Sequence, residues 1–545
     1  MKNKLTSFLL ILFVFLLGTF LRFYQLGNVP NSMDWDEASW GYNAYTILNT
    51  GKDEFGFSFP ISFKSFGDYK QPVYIYSEII PIKFFGLTPL AVRFPVAFYG
   101  SLSIIFIYLL LKELLYKHRK KDAIALVAAG IFAISPWSIQ FSRIAFEATL
   151  GVFFVLAGLY LFLLGVRKNY VFAFIISAIT FALSAYSYHS EKLFMPFLLI
   201  ILLLFYRKYF IKRKFLTISL FVLIFLLNSL WLFNWTTTAR GASVLFTSQT
   251  TELLKNSASN IIYSNSHNDM LGVFLNNRRF IYVNTFFLNY LKHWDPNWLF
   301  ISGDLPRHHA PAMGLLYLVS LPFIIFGLYR MFRDKYENWQ IIVFWFLLAP
   351  IASAIAIDAP NAERSLIMLP PIIMWEAIGL VSFYFRCRSL SKKLIGKLVI
   401  ILVVFLYVFN FFYYFQQYFF HTNLDTQEYW QYGYKEVIDY TSRPEFNNKR
   451  IIFSPEFEQP YIFYLFYARF DPKIYLESGG SNIKNNTCFT INNRYFGKCD
   501  NLLNAGDIYL TTLNSKPPLV SQKLQGFKFL NGKEATTVYL ITGSK

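Results

Sequence analysis

Three carboxylates, Asp34, Asp36 and Glu37, crowd into four positions of the segment Met33-Asp34-Trp35-Asp36-Glu37-Ala38. Asp68 and Lys70 follow within Lys64 to Gln71. Short polar stretches further along repeat the mixture: Arg143 with Glu147; His189, Glu191 and Lys192; Arg278, Arg279, His293, Asp295, Arg307, His308 and His309; Asp358, Glu363 and Arg364. Acids among cations suit a reaction that removes a proton from a hydroxyl and holds a phosphate. A carboxylate at a desolvated boundary gains proton affinity, which helps it act as a base. Arginine and lysine stabilise a departing phosphate through charge-assisted hydrogen bonds.

Each residue also has a structural reading. Asp34 or Glu37 can cap a helix that starts beside them. Arg143 and Glu147, spaced i and i+4, can pair on a helix end. Lys192 and Arg279 suit lipid headgroups as well as a site. Adjacent histidines on a loop, His308 and His309, do not make a metal-ligand set. The residues name no metal, so the expectation is no certain cofactor, with a divalent cation left open.

The elements that must position these groups are membrane helices. Of 545 residues, 55% are apolar, 20% aromatic and only 15% charged, and apolar runs of bilayer-spanning length recur. That excludes an ordinary soluble enzyme. The net charge of +19 comes from short basic clusters between the runs, which reads as topology and not as nucleic-acid binding. Lys2 and Lys4 precede a first run, Leu5 to Phe23, that lacks a small-residue cleavage site and reads as a retained span. Further spans are expected at Ala91–Leu115, Ala123–Pro136, Ala148–Val166, Val171–Tyr186, Leu193–Tyr206, Phe215–Phe233, Met313–Tyr329, Ile341–Ile357, Leu366–Phe385 and Lys397–Phe415, about eleven in all. The strong basic clusters, such as Lys117 to Lys121 and Arg386 to Lys393, all fall on the side of Lys2. The N-terminus is therefore expected in the cytoplasm and the acidic stretches outside it. Val73 to Phe85, interrupted by Glu78, Pro81 and Lys83, reads as an interfacial helix.

From about Gln416 the composition becomes that of a soluble α/β domain. Ile451–Phe453, Lys473–Leu476, Ile508–Thr511 and Thr537–Ile541 read as strands and Pro460–Phe470 as a short helix. Cys488 and Cys499 flank an Asn492-Asn493 turn; a disulfide is permitted by the compartment but not fixed by the sequence. Cys387 reads as a free thiol.

The ordered set of motifs resembles the GT-C superfamily of membrane glycosyltransferases, in its bacterial branch related to protein O-mannosyltransferases and the lipid A aminoarabinose transferase. It comprises Leu21-Arg22-Phe23-Tyr24, Asp36-Glu37-Ala38, Gly67-Asp68-Tyr69-Lys70-Gln71-Pro72-Val73-Tyr74, Ser135-Pro136-Trp137, Phe141-Ser142-Arg143, Phe146-Glu147-Ala148, Tyr186-Ser187-Tyr188-His189-Ser190, Pro306-Arg307-His308 and Pro360-Asn361-Ala362-Glu363-Arg364. The resemblance covers roughly Met1 to Phe415. It implies transfer of a sugar from a polyprenyl-phosphate donor to a lipid, glycan or protein acceptor at the outer face. The catalytic carboxylate maps onto Asp36, with Glu37 beside it. Lys70 maps onto a donor-phosphate cation, although Gln71 stands where the family pattern has a proline. Arg143, Arg307 and Arg364 are implied as further phosphate-binding residues, and Asp34, Asp68, Glu147 and His189 as other site candidates.

The expectation is thus an all-α polytopic membrane bundle of GT-C type, residues 1–415, followed by a small extracytoplasmic α/β domain, residues 416–545. A first outer loop (28–90) carries the acids, and a long outer loop spans 234–312. The expected location is the cell membrane, with lipids as partners. A transporter or flippase of a lipid-linked sugar is the rival reading. It would place ionisable groups at the bilayer midplane, whereas here they gather at one face.

Overall fold

A computed structural model describes residues 2–213, 250–485, 488–513 and 515–543. The expected span Phe215–Phe233 lies outside the described residues. Helices dominate the described residues up to 425. They begin with α1 (Lys2–Phe23) and α2 (Trp35–Thr50). A hairpin of β1 (Phe63–Ser65) and β2 (Asp68–Lys70) leads into α3 (Pro72–Phe85) and α4 (Pro89–Leu114). Then follow α5 (Lys121–Ile134), α6 (Pro136–Phe141), α7 (Ala148–Lys168), α8 (Val171–Ser187) and α9 (His189–Phe205). Among the described residues, five helical stretches are long and apolar enough to cross a membrane: Leu5–Phe23, Pro89–Leu114, Ala148–Lys168, Leu366–Arg388 and Lys393–Asp425. Val171–Ser187 and Trp339–Ala354 are shorter apolar helices. The expected long outer loop carries helices at Thr250–Ser266, Met270–Leu275 and Arg278–Lys292.

The chain packs as two compact units. The first gathers Met1–Arg22, Phe98–Ser142 and Glu147–Tyr414; the second gathers Phe23–Ala97, Arg143–Phe146 and Phe415–Lys545. Packing therefore groups the expected first outer loop with the C-terminal domain, a division that differs from the linear one at 415/416.

Within the first unit, α7 lies along α8, and helix Leu369–Arg388 packs against both α5 and helix Leu321–Arg333. Arg22 is wholly buried near the end of α1. Its guanidinium donates to the carbonyls of Gly18 (2.9 Å), Ala133 (3.1 Å) and Phe132 (3.2 Å) and to Ser138 Oγ (2.7 Å). In an apolar surrounding such groups must find partners, and these fix α1 to the end of α5 and to α6.

The second unit is built around α2. A six-stranded sheet, order β4-β5-β3-β6-β8-β7, forms its C-terminal part from β3 (Ile451–Phe453), β4 (Cys488–Ile491), β5 (Arg494–Gly497), β6 (Ile508–Thr512), β7 (Ser521–Lys528) and β8 (Glu534–Ile541). Strand β3 runs parallel to both β5 and β6, and the remaining pairs are antiparallel. Helix Pro460–Tyr467 packs on α2. The approach is close: a Cβ on Gly41 would lie 2.8 Å from Phe466 and 2.5 Å from Val92. Tyr42 donates to the carbonyl of Phe470 at 3.2 Å.

One expected strand is corrected. Lys473–Leu476 lies in a helix, Pro472–Glu477, whose N-cap Asp471 accepts from the backbone N–H of Lys473 at 2.7 Å. An aspartate followed by proline in the first turn is a helix-start signal, and it outweighs the strand-like apolar alternation. Cys488 and Cys499 are disulfide-bonded.

Candidate functional site

The capping box at the start of α2 sets the positions of its three acids. Asp34 is the N-cap: its Oδ1 accepts from the N–H of Asp36 at 2.8 Å, while Glu37 Oε2 accepts from the N–H of Asp34 at 3.2 Å. Both structural readings of these two acids hold at once.

Glu37 is further locked. Its Oε1 accepts from Arg93 Nε (2.9 Å) and from the N–H of Ala145 (2.8 Å), and its Oε2 from Arg93 Nη2 (2.8 Å). Neither side chain of this pair is exposed at all. Arg93 also donates to the carbonyls of Pro30 (2.7 Å), Ser32 (2.6 Å) and Leu26 (3.4 Å). One arginine thus gathers the chain leaving α1 and the first turn of α2. Both Glu37 oxygens are therefore engaged within the fold. In the sequence Arg93 reads only as the edge of an apolar span. A lone arginine in the first turn of such a span is the signal that could have found it.

Asp36 differs. Its side chain keeps 22% of its exposure, and its carboxylate pairs with Lys70 Nζ at 3.0 Å. The lysine is buried, with its ammonium 5.6 Å from the ring centre of Trp40. The β1–β2 hairpin delivers it there. Register pairs Phe63 with Lys70 and Ser65 with Asp68, so these four side chains share one face. That face looks onto α2, because Ser65 Oγ lies 3.3 Å from Ser39 Oγ. The two turn residues, Phe66 (φ 46°) and Gly67 (φ 78°), both have positive φ, which a two-residue hairpin of the primed type requires. The sequence gives little sign of this hairpin, since Phe-Gly is a weaker turn signal than Asn-Gly.

Gly67→Val is expected to strain this turn by about 1–3 kcal/mol, although nothing lies within 4 Å of the added Cβ. The measurable outcome is a lower thermal midpoint. An unchanged midpoint would show that the turn tolerates a side chain at this position.

Beside this pair lies a second buried acid that sequence reading missed. Glu54, fully buried, accepts from Asn43 Nδ2 (3.0 Å), Ser39 Oγ (3.5 Å) and Ser481 Oγ. Its carbonyl accepts from the N–H of Ser481 at 2.9 Å. Ser481 belongs to the C-terminal part, and Tyr461 from the same part packs its ring against Phe66 at 6.2 Å. Residues so far apart in sequence leave no local pattern.

Neighbouring Asp53 accepts from the N–H groups of Phe55 and Phe57. Burial outweighs these bonds and pushes its carboxyl from 3.8 up to about 6. A raised folded-state value means the unfolded chain releases its proton first. Stability is then lost as pH rises from about 4 to about 6 and stays lower above that. Asp53→Asn, whose amide oxygen can still accept, should match wild type in thermal stability near pH 4 and exceed it above pH 6. Parallel melting curves at all pH values would refute this.

The remaining expected site residues are placed as follows. Arg143, in the second unit, is buried; it donates to the carbonyl of Val29 at 3.2 Å and lies 4.7 Å from the ring centre of Phe419 and 5.2 Å from that of Tyr418. Asp68 is half-buried on the inner hairpin face. Glu147, Arg307, Arg364 and His189 belong to the first unit. There Glu147 is buried at the start of α7 and His189 is half-buried at the start of α9. Arg364 is ion-paired with Asp358. The carbonyl of Arg307 accepts from Gln140 Nε2 at 2.7 Å. Asp304, an acid the sequence does not single out, joins these two loops: its Oδ2 binds His308 Nδ1 (2.8 Å) and the N–H of Ala362 (2.6 Å). Burial pushes its carboxyl up, but His308 and the N–H groups outweigh that and hold it below the usual range. Among the described residues no three His, Cys, Asp or Glu side chains come together to hold a metal ion.

The family model described as dolichyl-phosphate-mannose-protein mannosyltransferase matches residues 70–231. No curated protein matches the sequence. Among solved structures, ArnT from Cupriavidus metallidurans superposes with a TM-score of 0.57 at 10% identity, covering 98% of each chain. The fold is that of the GT-C membrane glycosyltransferases. ArnT bound to undecaprenyl phosphate gives the same TM-score at 9% identity over 97% of both chains. The archaeal oligosaccharyltransferase AglB from Archaeoglobus fulgidus, solved with an inhibitory peptide and a dolichol-phosphate, gives 0.51 at 13% identity over 86% of this chain. The chain spans 64% of the length of AglB. The chain shares the ArnT fold over nearly its whole length.

Proposed function

We propose that this chain is an inverting glycosyltransferase of the cell membrane, moving a sugar from a polyprenyl-phosphate donor to a hydroxyl of a lipid, glycan or protein acceptor. The observation that carries the reading is the Asp36–Lys70 pair: a part-exposed carboxylate held by a buried ammonium. Donor phosphate competes with Asp36 for that ammonium. As Lys70 turns to the phosphate, the carboxylate loses its partner and becomes available as a base. Asp36 takes the acceptor proton, the acceptor oxygen bonds to the anomeric carbon, and the bond from that carbon to the phosphate oxygen breaks. The electron pair leaves on the polyprenyl phosphate, where Lys70 stabilises it.

Glu37, expected beside Asp36 in the chemistry, acts in this reading as a positioning residue. Arg143, Arg307 and Arg364 are proposed as further phosphate ligands, and Asp68, Glu147 and His189 as site candidates, on the resemblance alone. The polyprenyl-phosphate class is supported by the ligands named for ArnT and AglB. An exterior site with a cytoplasmic N-terminus is supported by the basic clusters and by a disulfide in the C-terminal part.

Purified protein in vesicles, given a polyprenyl-phosphate sugar and an acceptor extract, tests the reading. Transfer of sugar to the acceptor supports it. A lipid-linked sugar that crosses the bilayer without transfer would replace it with the flippase.

A further inference from the structure

Between α5, helix Leu369–Arg388 and helix Lys393–Gln416 lies a cavity of about 490 Å³. Its walls are apolar, with Val127 on α5, Leu380 on the second helix and Val403, Val404 and Val408 along one face of the third. Tyr407 also lines it, but its hydroxyl is engaged with Glu376 Oε1 at 2.6 Å. Two further lining residues, Tyr384 and Phe385, stand at the end where the basic runs lie, about 40% exposed. Each carries a cation. Lys120 Nζ sits 3.7 Å from the ring centre of Phe385, and Arg388 donates to the hydroxyl of Tyr384 at 3.3 Å.

Nearby acids are already engaged: Asp122 pairs with Lys112, Glu113 with Arg167 and Asp334 with Arg330, while Glu337 accepts from the N–H of Lys117 at 2.7 Å. The mouth is thus positive, at the end of an apolar groove between membrane helices. Basic pockets of this kind suit anionic headgroups, and the apolar walls suit a hydrocarbon chain.

We propose that the groove is a binding site for an anionic phospholipid, one acyl chain lying along Val127, Leu380 and Val404 and the phosphate held by Lys120 and Arg388. The site is separate from the proposed chemistry and requires only that these helices lie in a bilayer.

Native mass spectrometry of the full chain, released from micelles with equimolar phosphatidylglycerol and phosphatidylcholine of matched chains, reads the site out. Wild type should retain phosphatidylglycerol about tenfold over phosphatidylcholine, given two cations near the headgroup. Lys120→Glu with Arg388→Glu should bring the ratio close to one while some lipid stays bound. Val404→Trp, which fills the groove, should lose both lipids while the protein stays monodisperse. Val127→Phe repeats that test from the opposite wall should Val404→Trp fail to fold. Equal retention of the two lipids by wild type, a preference that survives the double charge reversal, or retention unaffected by filling the groove would each overturn the proposal.

Discussion

Asp36→Asn is expected to lower sugar transfer by about 10²–10⁴-fold, the usual contribution of a positioned general base, while the protein keeps its fold. The reasons are local. Asparagine has nearly the same shape, and its amide oxygen can still accept from Lys70. The capping box does not need the Asp36 side chain, because Asp34 and Glu37 complete it through backbone N–H groups. Donor binding should therefore change much less than turnover. The measurement is kcat and KM for a polyprenyl-phosphate sugar, with the melting temperature as a control for folding. Transfer at the wild-type rate by a well-folded Asp36→Asn variant would remove Asp36 from the chemistry. A loss of donor affinity alone would assign it to binding.

Glu37→Gln should act in the opposite manner, through folding. Removing the charge leaves the Arg93 guanidinium buried without its counter-ion, a change that costs about 3–5 kcal/mol in comparable buried pairs. The amide must also present a donor to Arg93, to the N–H of Ala145 or to the N–H of Asp34, each of which already donates. Arg93→Met should be at least as damaging, since it orphans the carbonyls of Leu26, Pro30 and Ser32 along with Glu37. Replacing both partners by apolar residues should not restore stability, because those three carbonyls remain unpaired. The readouts are the monodisperse fraction after purification and the thermal midpoint. A Glu37→Gln protein with the wild-type midpoint and no activity would return Glu37 to the reaction. The two neighbouring acids thus make a clean pair: the exposed one should fail in turnover and the buried one in folding.

The difference between them comes from helical geometry. Asp36 and Glu37 are consecutive, so they point about 100° apart around α2. One side chain faces Arg93 and the interior; the other meets the hairpin and keeps access to solvent. Their sequence labels are almost identical. Only the distant partners, Arg93 for one and Lys70 for the other, separate the buried carboxylate from the part-exposed one.

The linear pattern by itself determined the class of molecule. Apolar runs, basic clusters and the first acidic motif follow from short-range rules: bilayer length, charge retention and capping each act within about twenty residues. Strands β3, β6 and β8 and helix Pro460–Tyr467 were legible for the same reason. The tertiary structure decided what depends on distant partners: that Lys70 meets Asp36 through a tight hairpin, that Arg93 neutralises Glu37, that Glu54 is closed over by Ser481, and that the C-terminal sheet shares a compact unit with the first loop. Buried charge must be matched wherever the chain can supply a partner, and no local rule of sequence says where that will be.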